Sequence, residues 1–155
     1  TSTVFSIGTR YETNESGNGF VAYCFHDVEG YSKFGSYTAN QNDDGPFVYL
    51  GFKPAFIIVK NVTTSSRNWS MMDDTRFGVG TTNVINPVIS HLKANDPDAE
   101  YDSTAITMLD ILSNGFKVRI GGTDNGIGRN MNRNSGDTVI YIAFASSPFK
   151  YANAK

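Results

Sequence analysis

Two pairs of neighbouring aspartates, one of them close to an arginine, offer the clearest chemistry in this 155-residue chain. Asp73 and Asp74 stand together, and Arg76 follows two residues later. Paired carboxylates can carry acid–base chemistry on a sugar or hold a divalent cation. The alternative, which we favour, is that one aspartate caps the end of a strand or pairs with Arg76. Asp43 and Asp44 precede a glycine, and this composition predicts a turn rather than a calcium site.

Metal, nucleophile and phosphate chemistry have little support in the sequence. Asp124 begins an Asp-Asn-Gly triplet that is similar to the start of a calcium loop, but the terminal glutamate is missing. His26 and His91 have no carboxylate or second histidine at metal-ligand spacing. The single cysteine, Cys24, lies in an apolar run that predicts a small buried side chain rather than a catalytic thiol. The chain has no Gly-x-Ser-x-Gly motif, so we predict a protein that is not an enzyme and needs no cofactor or metal.

Aromatic side chains suggest a different kind of site. Trp69 is the only tryptophan, and Arg67, Asn68 and Ser70 surround it. An indole can stack on a sugar ring, although a tryptophan in an alternating strand belongs more often to the core. Four tyrosines allow the same two alternatives: Tyr31, Tyr37, Tyr49 and Tyr101. They either line a solvated binding surface or pack inside the sandwich or at a subunit interface, which we favour.

Short apolar segments separated by turn residues have to position these groups. The predicted strands are Val4–Ile7, Phe20–Phe25, Tyr31–Tyr37, Phe47–Phe52, Ala55–Val59, Asn68–Met72, Ala105–Leu112, Phe116–Ile120 and Val139–Phe144. Between two of them, Ser113-Asn114-Gly115 is a strong hairpin signal. Short strands with regular turns predict an all-β fold, which we expect to be an antiparallel, jelly-roll-like β-sandwich of roughly nine strands with at most one short helix.

Two stretches break this pattern. Residues 83–95 contain apolar residues partly at helical spacing, but Pro87 interrupts them, so we expect a short helical turn or an irregular loop. Residues 121–134 are polar and rich in asparagine and glycine, which predicts a long mobile loop.

The beginning of the chain resembles its end. Ser16-Gly17-Asn18-Gly19 precedes Phe20–Phe25, as Ser135-Gly136-Asp137-Thr138 precedes Val139–Phe144. We therefore interpret residues 1–28 as a duplicate of the C-terminal strand pair (116–151), within one sandwich domain that spans residues 1–155. Val4–Ile7 and Phe20–Phe25 would then pair inside this domain and cover a sheet edge that would otherwise be open.

The bulk composition excludes several classes of partner. The net charge is −2 and 39% of the residues are hydrophobic, which fits a folded domain and gives no basic surface for nucleic acid. No apolar stretch is long enough to span a bilayer, so we expect no membrane insertion.

Five segments carry a family resemblance: Glu29–Thr38, Asp44–Ala55, Asp110–Lys117, Ser135–Ala145 and Pro148–Ala154. They resemble a module of bacteriophage virion proteins that is common in tail and fibre proteins of marine phages and cyanophages. The chain departs from the usual form at residues 123–134, where the loop is longer and richer in Asn and Arg. It also departs at Ser146-Ser147, where an acidic residue is common.

The resemblance implies a non-enzymatic structural or host-recognition role in the virion, at the phage tail or outer surface, after assembly in the host cytoplasm. It implies other virion proteins as partners and a homo-oligomer, for which we favour a trimer. Contact with host-surface glycans through aromatic and amide side chains is our own hypothesis for the host-recognition role. A capsid decoration protein or an architectural spacer is the alternative. The candidate ligand-binding residues lie in turns and loops: Tyr37, Asp43, Asp44, Trp69, Asp73, Arg76, Asp124 and Arg129.

Overall fold

Two antiparallel β-sheets form the framework of the protein. The computed structural model describes residues 3–76, 86–102, 107–119 and 128–146. The strands are β1 (Ser32–Thr38), β2 (Phe47–Tyr49), β3 (Pro54–Asn61), β4 (Ser70–Asp73), β5 (Ser90–Lys93), β6 (Tyr101–Asp102), β7 (Leu109–Leu112), β8 (Gly115–Val118) and β9 (Thr138–Ala145). Two helices of a single turn, α1 (Tyr11–Asn14) and α2 (Gly128–Met131), complete the described part. The prediction of an all-β sandwich is confirmed, with one more helical turn than we expect from the sequence.

The larger sheet is built around β9. Its strand order is β1-β9-β3-β4-β5-β6, whereas the smaller sheet has the order β2-β8-β7. Val139, Tyr141 and Ala143 of β9 are buried, and the residues between them face the other side of the sheet. This alternation with period two is what the sequence of β9 predicts, because successive side chains of a strand point to opposite faces.

Aromatic rings join the two sheets. Phe116 of β8 is fully buried, and its ring lies edge-on to Tyr37 of β1 and Tyr141 of β9, at centroid distances of 6.2 and 5.8 Å. Burying a side chain of this size contributes about 2–3 kcal/mol, so Phe116 is a central contact of the core.

The predicted hairpin between β7 and β8 is confirmed. Leu112 pairs with Gly115, so Ser113 and Asn114 form the turn. Gly115 also pairs with Tyr49 of β2, and a Cβ atom at Gly115 would lie 2.0 Å from the carbonyl oxygen of Val48. Only glycine therefore permits this close approach of β2 and β8.

The two strands predicted near the N-terminus are wrong. Neither Val4–Ile7 nor Phe20–Phe25 forms a strand, and the apolar side chains of both segments are exposed. Cys24, predicted to be buried, is exposed as well. The physical reason lies at the edge of β1: after the Val28–Ser32 bridge, the Asp27 side chain accepts the Phe34 N–H at 2.8 Å, which a neighbouring strand would need for its ladder.

Of the two alternatives expected for residues 83–95, the helical turn is wrong for residues 86–95, and the irregular loop holds only for residues 86–89, because β5 follows at Ser90. Val88 forms a bridge with Leu109, and β5 pairs with β4. Pro87 removes a donor from any helix, whereas Asn86 binds the backbone of Ile111 through both its amide nitrogen and its amide oxygen. Strands β5 and β6 thus extend the larger sheet where no strand is predicted.

Smaller differences concern the strand ends. β2 ends at Tyr49 instead of Phe52, and β7 begins at Leu109 instead of Ala105. β3 begins at Pro54, one residue before the predicted strand. Part of the predicted mobile loop forms α2 and packs against the sandwich, with Met131 and Asn132 fully buried.

Candidate functional site

Helix α2 holds the loops at one end of the sandwich. The Tyr37 hydroxyl donates to the carbonyl oxygen of Met131 over 2.9 Å. The side-chain oxygen of Asn132 accepts the N–H groups of Asn40 and Gln41, at 2.7 and 3.3 Å. Its amide nitrogen donates to the Asn42 carbonyl oxygen at 2.8 Å. The loop that follows β1 is therefore fixed on α2 by side-chain amides.

This arrangement removes Tyr37 from the candidate binding residues. Its side chain is 9% exposed and lies in the core, and burial raises the pKa of its hydroxyl far above the ordinary value. Tyr37 connects β1 to α2, so its role is structural and its selection as a surface ligand is wrong.

A second set of amides surrounds Trp69, and we call Arg67, Asn68, Trp69, Asn95 and Asn130 the Trp69 patch. The backbone N–H of Trp69 donates to Asn95 Oδ1 at 2.9 Å, and Asn95 Nδ2 donates to Asn68 Oδ1 at 2.9 Å. The Asn68 N–H donates to Asn130 Oδ1 at 3.2 Å. The backbone that carries the indole is therefore held from both sides by amides.

The Trp69 patch combines a half-buried indole with a cation that lacks an anionic partner. Arg67 is half-buried, and its buried Nε has no hydrogen-bond partner among the described residues. Ion pairs involving Arg67 are likewise absent from the described part of the chain. Since a guanidinium presents several N–H donors in a fixed plane, this side chain can donate hydrogen bonds to a hydroxyl or carboxylate of a ligand.

Asp137 supports the same end of the sandwich, although no motif in the sequence marks it as a site residue. It is 5% exposed, and its Oδ2 accepts hydrogen bonds from Asn61 Nδ2 at 2.8 Å, Thr64 Oγ1 at 2.9 Å and Asn134 Nδ2 at 3.1 Å. Three donors compensate the burial of this carboxylate. The network ties the start of β9 to the end of β3.

Asp73 and Arg76 pair with one another, as we favour from the sequence. Asp73 Oδ2 lies 3.0 Å from Arg76 Nη2, and the other terminal nitrogen of Arg76, Nη1, binds Glu100. Burial raises the pKa of Asp73, but hydrogen bonds from Thr75 and the nearby Arg76 outweigh it and hold this pKa below its ordinary value. The pair stands at the far end of the four-residue strand β4, about 13 Å along the strand from Trp69. It is separate from the Trp69 patch.

The remaining predicted site residues are dispersed. Asp43 is exposed, and Asp44 pairs with Lys117 at 2.7 Å. Its hydrogen bond with Lys117 and the charge of Lys117 lower the pKa of Asp44. Asp124 lies outside the described residues, and Arg129 belongs to α2, of which only the backbone is described at that position.

A cleft at the opposite end of the sandwich was missed by the sequence analysis. It encloses about 350 Å³ between the turn before β1 and the end of β2, with Asp27, Glu29, Lys33 and Tyr49 among its lining residues. The Lys33 ammonium lies 5.5 Å from the centre of the Tyr49 ring. Glu29 and Gly30 before β1 predict a turn, but nothing in the sequence indicates that Tyr49 lines a cleft next to that turn.

Comparisons with known proteins complete the description of the site. Groups of three or more metal-ligating side chains are absent from the described ranges, and no helix within them is long and apolar enough to cross a bilayer. The chain has no match among curated proteins and none among solved structures. Residues 1–148 match the family described as "Domain of unknown function (DUF7483)", and the chain therefore belongs to this family.

Proposed function

We propose that this chain is a non-enzymatic structural module of a phage virion, in a tail fibre or receptor-binding protein, and that it contacts host-surface glycans through the Trp69 patch. The single observation that carries the glycan contact is the half-buried Trp69 beside Arg67, whose guanidinium has no carboxylate partner among the described residues. The resemblance of the sequence to phage tail modules supports the placement in a virion.

The geometry of the patch suits a sugar ring. The face of an indole stacks on the apolar face of a pyranose, and polar groups at its rim bind the hydroxyls. Asn95 and Asn130 fix the backbone of residues 68 and 69 through hydrogen bonds of 2.9 and 3.2 Å. Binding then orders few additional groups, which lowers its entropic cost.

A glycan array of bacterial surface polysaccharides tests this function on the complete chain. Trp69→Ala should weaken binding by about tenfold or more, since stacking and burial of an aromatic ring contribute over 1 kcal/mol. Arg67→Ala should weaken binding to acidic sugars more than to neutral ones, because it removes the cation. Tyr11→Ala is the matched control, because Tyr11 is an aromatic residue that is 69% exposed and lies outside the patch.

Absence of any array signal would contradict the glycan role, as would equal binding by the native chain and the folded Trp69→Ala variant. Thermal unfolding of each variant separates lost binding from lost structure.

The state of the acidic residues supports a role without catalysis. A glycosidase needs two carboxyl groups across a groove, one of them with a raised pKa. Asp73 binds Arg76 and has a lowered pKa, and Asp74 lies 3.6 Å from the ammonium of Lys53. Neither carboxylate is arranged as a general acid. Incubation with host polysaccharide, followed by measurement of reducing ends, should show no hydrolysis.

A capsid decoration protein or an architectural spacer is the second candidate. One observation favours it, namely the exposed apolar side chains near the N-terminus, which suit assembly with other virion proteins more than contact with sugars. Imaging of the parent virion distinguishes the two: a distal tail position supports receptor binding, whereas a position on the shell or the tail shaft supports architecture. The homotrimer stays a proposal that the mass of the chain in solution will test.

A further inference from the structure

The N-terminal segment, which we define as residues 3–27, leaves a large apolar surface uncovered. Its exposed apolar side chains range from 49% exposure at Phe20 to 83% at Tyr23. They are Val4, Phe5, Ile7, Tyr11, Phe20, Val21, Tyr23 and Phe25. Monomeric proteins rarely expose large apolar patches, so a segment with this many exposed apolar side chains calls for a surface that covers it.

The backbone of this segment matches the approach to β9. In both places a single-turn helix precedes a turn with glycine at positive φ, which is 88° at Gly17 and 91° at Gly136. The same hydrogen bond closes each turn, from Asn18 N–H to the Glu15 carbonyl and from Asp137 N–H to the Asn134 carbonyl, at 3.3 and 3.2 Å. The family match from residue 1 to residue 148 includes both copies.

The apolar residues after the two turns also agree. Phe20–Phe25 contains no charged residue, and neither does Val139–Phe144 of β9. A strand that is apolar on both faces is typical of one covered on both faces. In this fold one face of β9 is buried in the core, and β1 and β3 pair with its two edges. Phe20–Phe25 has the side chains of such a strand and pairs with no strand in the described structure.

The sandwich offers an open edge of the matching kind on β1. Ala145 N–H donates to the Tyr31 carbonyl, and Ala39 N–H donates to the Asp137 carbonyl. The odd-numbered residues of β1 therefore bond to β9, and the even-numbered ones direct their backbone groups outward. Ser36 and Thr38 have no backbone partner on that outer side within the described structure.

The chain's own N-terminal segment does not occupy this edge. Val28 forms a bridge with Ser32, but the next outward N–H, of Phe34, is taken by the Asp27 side chain at 2.8 Å. In a continued hairpin the carbonyl of His26 would accept that N–H. The Asp27 carboxylate replaces it, so the backbone ladder stops at Val28, although the Phe25 ring still stacks on Phe34 at a centroid distance of 5.6 Å.

We propose that Phe20–Phe25 of one copy adds as a strand to the open β1 edge of a second copy of this chain. The edge lies beside the outer aromatic face of the sheet, where the rings of Phe34 and Phe144 are 6.0 Å apart. Val21, Tyr23 and Phe25 alternate on one side of the added strand. On the accepting copy they take the place beside Phe34 and Phe144 that its own Phe25 ring holds, at centroid distances of 5.6 and 6.3 Å, until that copy donates its strand in turn. Each copy donates one strand and accepts one, which builds a closed ring when the rotation closes and a filament when it does not. The interface is separate from the Trp69 patch.

A cross-link between two different copies tests the pairing directly. One copy carries Tyr23→Cys together with Cys24→Ser, because Tyr23 lies on the same side of the added strand as Ser36 and Cys24 is the only native cysteine. A tagged second copy carries Ser36→Cys together with Cys24→Ser. After mixing and oxidation, or treatment with a short bismaleimide, we expect a covalent heterodimer. A tagged Cys24→Ser copy with cysteine introduced at Ser113, an exposed residue of the β7–β8 turn, is the control and should give none.

Light scattering and sedimentation of the complete chain give the second readout. The native chain should form oligomers. Val21→Asp with Tyr23→Asp should raise the dissociation constant by about tenfold or more, since it buries unpaired carboxylates. Ser36→Pro should also yield monomers, because it removes an outward N–H that the chain's own ladder does not use.

Three outcomes would overturn the proposal. The first is a native chain that stays monomeric at all concentrations. The second is a disulfide that forms within one monomer when the cysteines introduced at Tyr23 and Ser36 are on the same chain, which would show that the segment closes on its own β1. The third is an oligomer that Ser36→Pro leaves unchanged while circular dichroism shows an intact fold.

Discussion

Protonation of one buried histidine should control how the stability of this protein changes with pH. His91 in β5 is fully buried, and neither ring nitrogen has a hydrogen-bond partner within the described structure. Its ring packs against Tyr101 at a centroid distance of 5.5 Å. Burial, and then the charges of Lys93 and Arg76, lower the pKa of His91 from 6.5 to about 4.

The sign of the effect follows from proton binding. Between pH 6.5 and 4 the unfolded chain protonates this histidine and the folded chain does not. The unfolded state is therefore favoured progressively as the pH falls through this window, whereas above pH 6.5 the histidine contributes no pH dependence. A difference of one pH unit in pKa corresponds to about 1.4 kcal/mol, so the full effect approaches roughly 3 kcal/mol.

The side chains of Lys93 and Arg76 are each 25% exposed. Solvent screens their charges, and we therefore expect a loss of about 2 kcal/mol between about pH 7.5 and 4.5.

His91→Phe isolates this contribution, because phenylalanine keeps a ring against Tyr101 and binds no proton. Urea unfolding followed by the fluorescence of the single tryptophan, Trp69, gives the free energy of unfolding at each pH. The native chain and the variant should be of similar stability at about pH 7.5, and the variant should be the more stable by about 2 kcal/mol at about pH 4.5.

His26→Gln is the control, since it removes the other histidine, which is exposed. Its pH profile should follow that of the native chain. Parallel loss of stability in the native chain and in His91→Phe would refute the assignment, because the proton uptake would then belong to other groups.

Two further substitutions test the packing and the polar network. Gly115→Ala should destabilise the fold by about 3 kcal/mol or more, because the added Cβ meets the carbonyl of Val48. Gly19→Ala is the control, because its added Cβ has no atom within 4 Å, and it should unfold at the same urea concentration as the native chain. Asp137→Ala should cost about 2–4 kcal/mol in the same assay, because it leaves the buried Asn61 and the half-buried Thr64, together with the exposed Asn134, without their acceptor. Asp43 is exposed, so Asp43→Ala should leave the free energy of unfolding unchanged. Equal losses of stability in the two aspartate variants would contradict the role of the network.

The parts of the fold that the sequence predicts well are those where local pattern and burial agree. β3 and β9 are eight residues long, and each contains a run of consecutive apolar residues between polar turns, which is typical of a buried strand. β5 and β6 were missed because they are short and polar: Ser90 and His91 are fully buried although neither is hydrophobic. Their burial comes from pairing with β4 and with each other, and such a partner is not encoded in the spacing of apolar residues.

The candidate site shows the same division between local and distant contacts. The pairing of Asp73 with Arg76 spans three residues and could be predicted. Trp69 and its neighbours were selected as well, but the amides that hold them come from Asn95 and Asn130, 26 residues after Trp69 and 62 residues after Asn68. An asparagine in a polar stretch favours a loop in any sequence. Only the fold reveals which backbone group its side chain binds.

The failed prediction at Phe20–Phe25 is informative because a nearly identical pattern succeeded at Val139–Phe144. Both segments follow the same turn, and both are apolar on the two faces of an extended chain. β9 forms a strand because β1 and β3 supply edges on its two sides. Phe20–Phe25 pairs with no edge of its own described chain, because the Asp27 carboxylate takes the Phe34 N–H that would continue a ladder along β1. A strand pattern thus states the capacity to pair, and a segment that keeps this capacity while exposing Val21 and Tyr23 by 79% and 83% requires an edge from another molecule to become a strand.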